Sequence, residues 1–152
     1  MSNTMRLVRG DPRIIKLPKL ATDRIELGDL LFWDSGNAAV RPAEQVSGSD
    51  YATKQTNFAG AFVGVAMAAA DAGAGGDISV ATSGDFLYPA PSGTGTAYDV
   101  AAMVGVGNGT AVSNQVVVKT TTAGASIGRV ISPKTTSQAF MMVRIAPKIN
   151  QP

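Results

Sequence analysis

Gly105-Val106-Gly107-Asn108-Gly109 is the stretch that comes nearest to a phosphate cradle, because closely spaced glycines let backbone N–H groups converge on an anion. It lacks the G-x-G-x-x-G spacing, a following helix and a lysine–hydroxyl pair, so a glycine-rich hairpin is the expectation. Asp71, Asp77, Asp85 and Asp99 are the acids that could be drawn together for acid–base work or calcium. Each stands beside turn residues, where aspartate hydrogen-bonds its own backbone, and their spacing matches no calcium loop. The chain has no histidine and no cysteine. That excludes Ser-His-Asp catalysis, histidine-ligated metal centres, thiolate nucleophiles and disulfides together. The reading is therefore of a non-enzyme with no cofactor and no metal site, assembled in a reducing cytosol.

The elements that would position any site are strands. In residues 60–88, Phe62, Val63 and Val65 form an apolar run broken by Gly64. After the turn residues Asp71, Gly73, Gly75 and Gly76, Ile78, Val80 and Thr82 alternate with Ser79, Ala81 and Ser83. Period-two alternation between glycine clusters predicts two strands, with Gly84 at a bulge or close backbone approach. A short alanine helix over 66–72 is the competing reading, and the glycines that follow would end it. Further strands are expected at 25–27, at 30–33 before an Asp34-Ser35-Gly36-Asn37 hairpin turn, at 38–41, within 114–122 and at 139–145. Residues 43–58 are polar without clear periodicity and read as a long surface loop with room for one helical turn. Trp33 and the methionines Met67, Met103, Met141 and Met142 are expected in core or subunit contacts.

The chain also echoes itself. "DLLFWDSGN" from Asp29 is matched by "DVAAMVGVGN" from Asp99, and "AGAFVGVA" at 59–66 by "AGASIGRV" at 123–130. The expected fold is all-β: a small β-sandwich or partly closed β-barrel built from two similar β-units, about 25–88 and 98–145. The whole of 21–152 would be one β-domain, since 152 residues suit a single core. Charged residues are only 16%, so the surface is rich in Ser, Thr and Gly or is covered by other chains. No run approaches the roughly 18 to 20 apolar residues of a membrane helix. The N-terminus shows no apolar signal core, so neither membrane nor secretion is expected.

Residues 1–20 differ from the rest. Arg6, Arg9, Arg13, Lys16 and Lys19 stand against the single acid Asp11, giving +4 here and about −2 elsewhere. Pro12 and Pro18 favour an extended path. With Ile14 and Ile15 between the charges, this reads as an extended basic N-terminal arm that lies along a partner's strand edge. The partner-binding residues assigned to it are Arg6, Arg9, Arg13, Ile14, Ile15, Lys16 and Lys19. Nucleic acid is not the expected partner, because no aromatic residue interleaves the charges.

The stretch "FVGVAMAAADAGAGGDISVATSGDFLYP" resembles the head decoration (capsid cement) proteins of tailed bacteriophages. The likeness is carried by Gly64, Val65, Ala66, Asp71, Ala72, Gly75 or Gly76, Ile78, Val80, Gly84, Phe86 and Pro89. It implies a β-rich homotrimer on the outer capsid surface of the virion, made in the host cytoplasm. Its partner would be the major capsid protein, whose hexamers and pentamers it would tie together. Residues 25–42 and the basic arm before them depart from that pattern. The alternative is another virion β-module of tail, baseplate or fibre, and after it a ligand- or carbohydrate-binding domain.

Overall fold

The computed structural model describes residues 7–9, 12–89 and 97–150. The strands are β1 (Leu7–Arg9), β2 (Ile14–Pro18), β3 (Leu30–Asp34), β4 (Ala39–Pro42), β5 (Phe62–Ala66), β6 (Asp77–Ala81), β7 (Asp85–Pro89), β8 (Met103–Val106), β9 (Val117–Lys119), β10 (Gly128–Ser132) and β11 (Phe140–Ile145), with one helix, α1 (Tyr51–Ala61). Among the described residues they form two antiparallel sheets, ordered β2-β6-β5-β3-β4 and β1-β7-β11-β10-β8-β9. The fold is all-β and consistent with a small β-sandwich. A single parallel bridge, Lys19 to Val40, draws the edges of the first sheet together, so it curls without closing into a barrel.

Apart from β1, the two sheets have the same strand order and the same register. Gly64 pairs with Leu31, and Gly128 pairs with Val104. Leu31 then faces Pro42 across the next ladder, and Val104 faces Lys119. Val65 faces Ala81 as Arg129 faces Arg144. Pro18 ends its strand against Asp77, and Pro89 ends its own against Phe140. The isolated bridges Ile25–Ala70 and Tyr98–Lys134 also correspond. Strands β2 to β6 thus match β7 to β11 one for one, giving a first unit over 14–81 and a second over 85–145. The expected limits need moving: β7 opens the second unit, whereas 25–88 had placed it in the first. The echo of 59–66 in 123–130 coincides with this register. The other does not, because Asp29 corresponds to Ala102; its N–H reaches Glu26 as that of Ala102 reaches Asp99.

The register explains the apolar pattern. In the first unit Ile25, Leu31, Val40, Val63, Ile78 and Val80 form one buried cluster, with Ile15, Leu17 and Trp33 packed on it. Their counterparts in the second unit are Tyr98, Val104, Val117, Ile127, Met141 and Val143, with Phe86, Tyr88 and Val106. This second cluster continues into Leu30, Phe32, Phe62, Val65 and Ala81, the opposite face of the first sheet. The first sheet is therefore buried on both faces, which is why Phe62–Ala66 is apolar throughout and buried at every position. At Tyr88 the interior meets the other unit, its hydroxyl donating to the Gly28 carbonyl at 3.1 Å. Burial pushes that hydroxyl far above its ordinary pKa, so it remains a donor.

Three expectations are corrected. The surface loop over 43–58 is in fact a 3₁₀ turn (Ala43–Gln45) followed by α1. Asp50 caps α1, accepting from the Thr53 N–H at 2.8 Å, and Gln55, Phe58 and Ala59 are its buried stripe. Residues 25–27 are no strand; only Ile25 bridges. Residues 14–18 of the expected arm are β2, paired with β6 of the same chain. No helix forms over 66–72, where Ala70 makes the bridge to Ile25.

Gly64 has φ +150°, and a Cβ there would meet the carbonyl of Ala81. At Gly128 it would meet the carbonyl of Arg144, the corresponding residue. Gly64→Val or Gly128→Val should each destabilise by about 3 kcal/mol in urea unfolding, against about 0.5 kcal/mol or less for a single surface charge change. Asp29 is buried and accepts from the Glu26 N–H at 2.8 Å and from Gln115 Nε2 at 2.9 Å. Burial raises its pKa above 3.8, more than those hydrogen bonds lower it. A raised folded pKa gives stability that is complete below the unfolded value and lost as pH rises through the folded one. Asp29→Asn should remove that loss, so its stability relative to the native chain should improve as pH climbs from 3.8; a pH series of urea midpoints reads this.

Candidate interaction site

The structure separates the residues assigned to the arm. Arg6 lies outside the described residues. Arg9 is in β1, where its backbone pairs with Asp85 of β7. Lys19 is buried, with Nζ donating to the carbonyls of Asp71 (3.3 Å) and Ala74. It therefore pins the β5–β6 loop and leaves little for a partner. Ile15 turns onto the core of the first unit. Arg13, Ile14 and Lys16 are exposed, Ile14 to 50%. Strand geometry sends Ile14 and Lys16 to the same side, away from the core. What remains of the predicted site is a strip of two cations and one isoleucine on an edge strand. Arg13 is held there by its backbone, with its N–H on Ser83 Oγ and its carbonyl accepting from the Thr82 N–H.

A second surface was not read from the sequence. On the outer face of the second unit, β8, β10 and β11 bound an open groove of about 520 Å³. Val100 and Met103 supply apolar wall, and Arg129, Arg144 and Lys148 supply charge. Arg144 is fixed by a fork on Asp85, Nε to Oδ1 at 2.8 Å and Nη2 to Oδ2 at 3.1 Å. This hydrogen bonding raises the guanidinium pKa further and leaves it charged at any working pH. Arg129 Nη1 donates to the Ala101 carbonyl at 2.8 Å. Ala101 sits at φ +71°, where the first unit has Gly28 at +93°. Arg129 lies 15 residues before Arg144, with Lys148 close behind it, and the pairing of β10 with β11 brings Arg129 to the other two. The available signal was weak: Arg129 and Arg144 interrupt apolar strands at alternating positions.

The hairpin at 105–109 carries no anion site of its own. Asn108 Oδ1 accepts from the Thr110 and Ala111 N–H groups, and the Gly109 N–H goes to Tyr51 Oη. Among the described residues no three acidic side chains gather as a metal ion requires. No described helix is long and apolar enough to cross a membrane. No protein-family model matches the chain, and no curated protein is recognisably similar to it in sequence.

Asp85 is 3% exposed, and among the described residues Arg144 is the cation that pairs its carboxylate. Arg144→Met should lower the urea midpoint by leaving that buried carboxylate without its fork. Adding Asp85→Asn should recover most of the loss, and urea unfolding of both variants measures it.

Proposed function

We propose that this protein is a structural virion component that binds the outer surface of an icosahedral phage capsid and stabilises it by bridging neighbouring capsomers. The reading draws on the resemblance over residues 62–89 and on the character of the exposed surfaces. The observation that carries it is the strip Arg13, Ile14 and Lys16, a basic and apolar edge held rigidly on a folded β-body. An edge strand offers unpaired backbone groups to another chain, and its cations select an acidic neighbour. Adhesion of this kind needs no chemistry. A protein that binds only the assembled shell stabilises it by mass action. Assembly into a homotrimer would multiply weak contacts into firm attachment. The major capsid protein is the partner this function requires.

Co-sedimentation with purified expanded heads tests the proposal. The native chain should saturate the heads, and Arg13→Glu/Lys16→Glu should attach several-fold more weakly with an unchanged melting temperature. Failure of the native chain to bind heads, or attachment to tails in their place, would sink the capsid reading. Undiminished attachment of the double variant would remove the β2 strip from it.

A further inference from the structure

We infer that the groove on the outer face of the second unit receives an acidic polypeptide segment of a protein partner. The chain supplies its own precedent. Val100, Ala101 and Met103 on the groove wall correspond by register to Leu27, Gly28 and Leu30 of the first unit. There the same positions are covered by polypeptide from the second unit. Tyr88 Oη donates to the Gly28 carbonyl, Gln115 Nε2 donates to the Leu27 carbonyl at 2.9 Å, and the Leu30 N–H donates to the Asn114 carbonyl at 2.8 Å. The surface that docks a neighbouring unit in the first half is the one left open in the second, where Val100 is 55% exposed.

Two substitutions between the halves set the chemistry of the occupant. Val65 and Ala81, fully buried beneath the second unit, are replaced by Arg129 and Arg144. The first face accepts the neutral Tyr88 and Gln115; in the second, Arg144 is already met by Asp85, whereas Arg129 reaches a backbone carbonyl that leaves its charge uncompensated. A carboxylate answers it, with apolar side chains against Val100 and Met103. A second copy of this chain is a poor fit. Its counterpart of the Tyr88 strand is β2, which presents the cation Lys16 and turns Leu17 onto its own core. The Arg144 fork to Asp85 holds one cation in place before binding, reducing the ordering cost. This assignment stands apart from the capsid reading, and its test uses no heads, so each fails separately.

The full chain, labelled with ¹⁵N, is titrated with acetyl-Glu-Leu-Glu-Leu-amide and, separately, with acetyl-Gln-Leu-Gln-Leu-amide while amide shifts are followed. The acidic peptide should give saturable shifts centred on Val100, Ala101, Met103 and Arg129, weakening as salt is added. Arg129→Glu, an exposed change that leaves the core intact, should weaken binding about tenfold or more. Met103→Ala, which removes wall and keeps charge, should weaken it less. Absent shifts at these residues, or equal shifts with the glutamine peptide, would overturn the inference. Concentration-dependent self-association abolished by Arg129→Glu would overturn it too, assigning the face to a second copy.

Discussion

Leu30, Phe32, Phe62, Val65 and Ala81 turn one face of the first sheet into a surface that cannot remain in water. Each of the larger side chains is worth roughly 1.5 to 3 kcal/mol on burial, and the face opposite is already committed to the unit's own interior. Cover comes from two directions. Phe58 of α1 places its ring 5.9 Å from that of Phe32 and 5.5 Å from that of Phe62. The second unit closes the rest with Tyr88 and Gln115. The helix and the junction between units answer one demand, and the rest of the molecule follows from how it is met.

The close approach at Gly64 and Gly128 belongs to the same design. Each unit needs a strand that bends over its own interior, and each places a glycine where the neighbouring ladder carries a carbonyl. Because both the glycine and the carbonyl recur at corresponding positions, the curl of the two sheets has one cause. Outside that shared frame the halves diverge. The first carries α1 in its crossover, and the second only the 3₁₀ turn Ala123–Ala125. The first is apolar on its outer face; the second is cationic there.

Strands with clean alternation or an unbroken apolar run were legible in the sequence. The runs at 30–33, 78–82 and 139–145 became β3, β6 and β11 because one or both faces are buried. α1 was not legible. Its stripe uses Gln55 as a buried position, satisfied by Gln55 Nε2 donating to the Val106 carbonyl at 2.9 Å, and a glutamine does not register in an apolar count. The basic arm misled for a related reason. Its composition was distinct, yet Ile15 and Leu17 alternate with Ile14 and Lys16 in strand period, so half of it belonged to the core. The groove was invisible because Arg129 meets Arg144 only once β10 and β11 lie side by side, with the apolar wall of β8 beyond them.

The placement of the aromatic residues has an optical consequence. Trp33, the only tryptophan, packs on the interior of the first unit, whereas Tyr88 and Tyr98 are buried in the second. Emission excited at the red edge therefore reports the first half alone, and tyrosine absorbance is weighted toward the second. With Tyr51 in the first half as well, tryptophan emission is the native reporter confined to one of the two matched halves.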